Sequence, residues 1–191
     1  MAAQSPYQIE LTRDALSNVL ADSTLSRFAA DDLAELVVLQ RCCWVPEAVL
    51  NNMLDLPPLR ETHDEVLAWA TTSMTLVVRQ RGRLVAAVRG QVEGSDWHVG
   101  RLMVAPDLTG RGAGSQLLRL IETLAPPHIE RFILFTGARS ERNIRMYYNA
   151  GYRLLPTPDP LPPNHISGAV HMVKPRLAAR RQHPTSQVRP D

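Results

Sequence analysis

Gly110, Gly112 and Gly114 alternate over five residues, with Arg111 and Ala113 between them and Ser115 after. The apolar run Leu102, Met103, Val104 stops just before them at Pro106, and Leu117, Leu118, Leu120 and Ile121 then recur at helical spacing. That is a strand, a tight loop and a helix, with the loop stripped of side chains where the helix starts. A helix N-terminus leaves its first N–H groups unpaired and carries partial positive charge, so it draws anions. Glycines there let the backbone close on a phosphate. The chemistry implied is the holding of a phosphorylated ligand. A P-loop would need Lys-Ser/Thr after the last glycine, but Ser115-Gln116 stand there and Lys174, the single lysine, lies far away. The dinucleotide fingerprint would need glycine at Ser115, and Glu130 precedes the next apolar run instead of ending it. A glycine-rich structural turn is the plain alternative.

A second cluster lies downstream: Ser140-Glu141-Arg142-Asn143-Ile144-Arg145-Met146-Tyr147-Tyr148-Asn149-Ala150-Gly151-Tyr152. The first run, Val104-x-Pro106-x-x-x-Gly110-x-Gly112-x-Gly114, resembles motif A of the GNAT superfamily of N-acetyltransferases, and the second resembles its motif B. The resemblance covers roughly residues 26–174. It implies an α/β fold with a central mixed, mostly antiparallel twisted sheet flanked by helices. It also implies acetyl-CoA as co-substrate, with direct transfer of the acetyl group to a primary amine in a ternary complex. The acceptor is a small molecule or a protein. The other reading within this fold is a non-catalytic acyl-CoA sensor or partner-binding protein. One departure is Thr109, where the family usually carries Arg or Gln; backbone N–H groups do most of the phosphate holding.

In such a transfer the attacking alkyl ammonium, with a pKa near about 10.4, must first lose a proton, and the leaving thiolate needs one. The resemblance assigns the acid to Tyr147; Tyr148, turned about 100° away on a helix, cannot face the same way. It assigns oxyanion and pantetheine contacts to the backbone of Met103 and Val104. The strand they end is expected to splay from the next one, leaving a gap for the pantetheine arm. Pyrophosphate contacts fall to the loop from Thr109 through Arg111, Gly112, Ala113, Gly114 and Ser115, and further CoA contacts to Ser140 and Asn143. Capping of a helix explains Ser140 equally well. For the general base, Glu93, Asp96 and His98 lie in or beside the strands that would face the acceptor, with Glu93 and His98 as the main candidates. Alternation puts His98 on the face of Leu102 and Val104 if no bulge intervenes.

These residues need a frame. Asp31 or Asp32 caps a helix running to about Trp44, a second helical stretch covers Pro46 to Leu54, and Glu61 to Thr71 reads as another. Met74–Arg79 and Arg83–Val92 form a hairpin through Gln80-Arg81-Gly82, and Trp97–Val104 is the third strand. After the glycine loop and its helix come a strand over Arg131–Thr136, a helix over Ser140–Ala150, and strands at Tyr152–Leu155 and Ala169–Val173. Residues 1–25 read as an extension, helical around Asp14 to Leu20, ahead of a single domain over 26–174. Five prolines between Pro156 and Pro163 forbid a central strand; the resemblance implies that they border the acceptor groove, and a plain surface spacer is the other reading. Residues 175–191 read as a basic, disordered tail.

Composition narrows the class. With 191 residues and 45% apolar content the chain can bury a full core. It has no membrane-length apolar run and no signal-peptide pattern, so the expectation is a cytoplasmic protein, monomer or homodimer, without membrane partners. Residues 1–78 hold four arginines against eleven carboxylates, a net of −7, while 79–191 carry a net of +9. The basic half holds the loop for a polyphosphate ligand; the acidic half would suit a cationic amine. Basic residues are dispersed without interleaved aromatics, so nucleic acid is not the expected partner. The histidines lack metal-ligand spacing, and no metal is expected. Adjacent Cys42 and Cys43 are read as buried, reduced thiols on a helix.

Overall fold

Residues 74–104 fold as their apolar alternation requires, into three antiparallel strands joined by tight turns. The structure, a computed structural model, describes residues 14, 16–156 and 168–176. The proline-rich run beyond Pro156 and the tail beyond Arg176 lie outside them. Strands β1 (Ser23–Arg27), β2 (Met74–Gln80), β3 (Arg83–Glu93), β4 (Asp96–Val104), β5 (Arg131–Gly137), β6 (Arg153–Leu154) and β7 (Ala169–Pro175) form one sheet in the order β1-β2-β3-β4-β5-β7-β6. Every neighbouring pair is antiparallel except β4 and β5. Helices α1 (Leu33–Asn51), α2 (Pro57–Arg60), α3 (His63–Thr72), α4 (Ala113–Thr123) and α5 (Glu141–Asn149) flank it. No helix among the described residues is long and apolar enough to cross a membrane.

The helices follow local signals. The Thr62 hydroxyl accepts from the Glu65 N–H while the Glu65 carboxylate accepts from the Thr62 N–H, a reciprocal cap that starts α3. In α4 the expected stripe Leu117, Leu118, Leu120, Ile121 is buried. Gly114 abuts Val104, a Cβ there lying 3.9 Å from Val104 Cγ2, so the α4 face of the sheet carries Val104.

Three departures from the sequence expectation matter. First, α1 runs unbroken through Pro46. The proline deletes one ladder bond, whose freed carbonyl belongs to the exposed Cys42 and can meet water. Burial of Leu36, Val37, Leu39 and Ala48 holds the helix together across it. Cys42 is thus exposed and Cys43 half-buried, not both buried as expected. Second, β1 pairs along β2 from Ser23, and Leu16 and Leu20 are buried in the common core. The folded unit therefore reaches back before residue 26. Third, β4 bulges: Ala87 pairs with Met103 but Arg89 pairs with Gly100, leaving Arg101 and Leu102 opposite one residue. The bulge reverses the alternation, so His98 lies on the face opposite Leu102 and Val104.

At the far side of the sheet Glu122 on α4 ties Tyr152, just before β6, to Lys174 on β7. Its carboxylate accepts from the Tyr152 hydroxyl at 2.8 Å and from Lys174 Nζ at 2.6 Å, with the Glu122 side chain 11% exposed. Glu122→Ala strands a buried phenol and a half-buried ammonium together. The expected loss is about 3 kcal/mol of unfolding free energy in a urea titration, roughly 6–12 °C in Tm.

Candidate active site

Strands β4 and β5 pair only over Asp96–Arg131, Trp97–Phe132 and His98–Ile133. Beyond that point they diverge, and the β5-facing edge of β4 has no strand partner among the described residues. A cleft of about 700 Å³ opens there, walled by α1 on one side and by the N-termini of α4 and α5 on the other.

The glycine loop forms one end of the cleft. Gly110 and Gly112 both take positive φ, 86° and 90°, conformations that strain a residue with a Cβ. Gly112 caps α4, and the first intrahelical bond is Gln116 N–H to Gly112 C=O at 3.2 Å. The N–H groups of Ala113, Gly114 and Ser115 are therefore left for a ligand. Thr109, Gly112, Ala113, Gly114 and Ser115 line the cleft. Arg111 is exposed and does not. A further cation beside the loop is Arg142 of α5, which lines the cleft and whose Nη2 a Cβ at Gly110 would meet at 3.4 Å. Of the β4 pair, Val104 lines the cleft while the Met103 side chain is buried behind it.

At the middle of the cleft stands Tyr147, 7% exposed, its hydroxyl free of hydrogen bonds among the described residues. Burial, reinforced by the Glu47 carboxylate, pushes its phenol well above the usual value. Tyr148 points away, with the Arg153 guanidinium 5.6 Å from its ring centroid. Ser140 and Asn143 also line the cleft, but α1 already holds them. The Ser140 hydroxyl donates to Glu47 and accepts from Asn51 Nδ2 at 2.9 Å, and Asn143 Nδ2 donates to Glu47 Oε1 at 3.1 Å. Cys43, a turn before Glu47, donates to the Val104 carbonyl at 3.3 Å, and burial pushes its thiol up to about 12.

Glu93 and His98 do not come to this cleft. They face each other at 3.3 Å at the closed end of the β3–β4 hairpin, with the Glu93 side chain 78% exposed. Two carboxylates do line the cleft, Glu47 and Glu141, and Glu47 is the one whose charge acts on Tyr147. The signal for it lay in the sequence: Cys43, Glu47 and Asn51 recur every four residues, one stripe of a helix. Breaking that helix at Pro46 hides the stripe. Among the described residues no three His, Cys, Asp or Glu side chains converge to hold a metal.

A sheet split beside a glycine-lined helix N-terminus is an acetyltransferase architecture. The chain belongs to the acetyltransferase (GNAT) family, whose model matches residues 35–152. Solved structures of similar fold include the PaiA N-acetyltransferase of Thermoplasma acidophilum in complex with coenzyme A, at 14% identity and TM-score 0.66 over 81% of this chain and 99% of that one. The ribosomal-protein-S18-alanine N-acetyltransferase of Escherichia coli matches at 18% identity and TM-score 0.62, over 84% and 99% of the two chains. N-acetylglutamate synthase of Neisseria gonorrhoeae, complexed with coenzyme A and N-acetylglutamate, matches at 15% identity and TM-score 0.62, over 81% of this chain and 35% of that one. No curated protein matches the sequence significantly.

Proposed function

We propose that this protein is an acetyl-CoA-dependent N-acetyltransferase that moves the acetyl group directly to a primary amine within a ternary complex. One observation carries the reading: the split between β4 and β5 brings the unpaired N–H groups of α4, Tyr147 and Glu47 onto a single cleft. Acetyl-CoA bound there supplies an activated thioester.

The residues divide the work. The N–H groups of Ala113, Gly114 and Ser115, with the Arg142 guanidinium, hold phosphate charge. The free edge of β4 from Val99 to Val104 offers backbone groups to a pantetheine amide chain. Glu47 receives the proton that the acceptor ammonium must shed, and Ser140 and Asn143 fix its carboxylate. Tyr147 keeps its proton until the sulfur departs and then gives it up. The amine nitrogen loses two protons overall as the C–N bond forms and the C–S bond breaks; one leaves through Glu47 and the other balances the proton delivered to sulfur. Cys43, held as a neutral thiol by burial, is a poor nucleophile, which favours direct transfer over an enzyme-bound acetyl group.

The test is release of free thiol from acetyl-CoA across a panel of primary amines, with initial rates at varied concentrations of both substrates. Intersecting double-reciprocal lines are expected. Parallel lines would refute direct transfer, and bound acetyl-CoA without release for any amine would refute the enzyme. Within this scheme Glu47→Gln keeps the shape but not the base, and kcat/KM for the amine should fall at least about tenfold. Unchanged turnover would return the base to another group.

A further inference from the structure

On the face of β3 and β4 opposite Val104, two arginines enter the cleft beneath α1 and α3. Arg89 lies over Gly100, where a Cβ would meet its Nη2 at 3.1 Å, so the glycine leaves room for the guanidinium. The Trp69 ring centroid is 5.4 Å from the Arg89 guanidinium. Arg101, at φ 50° on the bulge, packs between Trp44 and Trp69 at 5.5 and 5.4 Å, with its side chain 10% exposed. Flat aromatic faces fix both guanidinium planes and leave their N–H edges to make hydrogen bonds.

The charges here do not balance. Glu61 pairs with Arg101, and its carboxylate also accepts from Gln40 Nε2 at 2.9 Å and Trp69 Nε1 at 3.2 Å. Arg89 has no acid or carbonyl bonded to it among the described residues; Glu61 acts on it only through its field. The Nε atoms of Arg89 and Arg101 are both buried without a hydrogen-bond partner among the described residues. Burial lowers the pKa of both, Arg101 to about 10. Two cations share one carboxylate in a desolvated wall, and such a surplus is costly unless a ligand anion completes it.

That anion is not a CoA phosphate held at the glycine loop. Arg89 pairs with Gly100 and Ala86 with Val104, so the Arg89 side chain leaves the sheet on the face away from α4. It is on the α1 side, where Glu47 also stands.

Taking the transferase reading above as its basis, we propose that the acceptor is a free amino acid, its carboxylate held by Arg89 with Arg101 behind it and its amine directed at Glu47. A planar, two-oxygen anion matches a guanidinium fork. A protein N-terminus carries an amide where this carboxylate would be, and a polyamine carries only cations. Both should be poor acceptors.

The experiment pits the twenty standard amino acids against their C-terminal amides, with simple alkylamines and polyamines alongside, in the thiol-release assay. The amide amine is the easier to deprotonate, so preference for the acid would run against intrinsic reactivity. At least one amino acid is expected to exceed its amide by about tenfold or more in kcat/KM. Arg89→Met should raise KM for that amino acid by about 10- to 100-fold and erase the preference, while Arg89→Lys restores part of it. The methionine variant keeps the packed stem and leaves Glu61 its other partners, so Tm should hold or rise and acetyl-CoA should still bind. Amines without a carboxylate turning over as well as amino acids, or a preference surviving in Arg89→Met, would overturn this proposal and leave the transferase reading standing. Failure of every amine despite acetyl-CoA binding would remove both.

Discussion

Gly112→Asp is expected to weaken acetyl-CoA binding by about a hundredfold or more, near 3 kcal/mol, while leaving the protein folded. Space is not the obstacle, since a Cβ at Gly112 would meet only Val19 Cγ1, at an ordinary 3.7 Å. Conformation costs something: φ is 90°, a region that Asp and Asn tolerate better than other residues with a side chain. The large effect is electrostatic. A carboxylate at the N-cap lies beside the unpaired N–H groups of Gly114 and Ser115 and is favoured by the helix dipole. It fills the anion site with its own charge and repels phosphate. Two companions separate the contributions. Gly112→Asn keeps the backbone demand and the capping chemistry without the charge, so it should bind better than the aspartate. Gly112→Ala keeps the N–H groups open but pays the full backbone strain, so it should lose stability and retain more affinity than Asp. Isothermal titration with acetyl-CoA, beside thermal unfolding of each variant, reads both quantities. Equal affinities for Asp and Asn would mean that the loop does not hold an anion.

How far the sequence reveals this site depends on which physical signal places each residue. Gly112 to Ser115 are legible because a helix N-terminus with its unpaired N–H groups is built from consecutive residues. Tyr147 is legible for the same reason, as it lies about two turns beyond Ser140, the N-cap of α5, with Asn143 between them. The sheet follows from alternation in 74–104, and its split from the family resemblance. Glu47, Arg89 and Arg101 are different. Glu47 reaches the cleft only because α1 continues through Pro46, a case where core burial outweighs local helix preference. Arg101 turns toward Trp44 only because β4 takes one extra residue there, and the one local mark of that bulge is the in-strand Gly100 beside it. Glu93 and His98 carry suitable chemistry, but the bulge and the hairpin geometry leave them at 3.3 Å from each other, outside the cleft. Spacing puts Glu47 on one helical stripe with Cys43 and Asn51 but does not say which strands that stripe packs against, and it gives no sign of the partners of Arg89 and Arg101.

Tyr147→Phe should lower kcat by about a hundredfold or more and leave the dissociation constant for acetyl-CoA nearly unchanged. The reasoning begins with what the hydroxyl does in the free protein. It forms no hydrogen bond among the described residues, so its removal leaves no buried partner stranded and should cost little stability. The ring keeps its edge-on contact with Tyr152, at 6.0 Å between centroids, and its place in the wall. What the variant loses is a proton. Burial and the nearby Glu47 charge both favour the neutral phenol, raising its pKa above the ordinary 10. The proton-donating form is the protonated one, so the acid stays loaded throughout neutral and mildly alkaline pH. Wild-type kcat should therefore show no falling limb from this group below about pH 10, and activity should rise with pH as the acceptor amine loses its proton. In Tyr147→Phe the leaving thiolate must depart without a donor, so acyl donors with a better leaving thiol should recover rate in the variant more than in wild type. That differential is the decisive readout. A variant within two- or threefold of wild type, or one whose deficit ignores the leaving group, would make Tyr147 a packing residue and leave sulfur to be protonated by water.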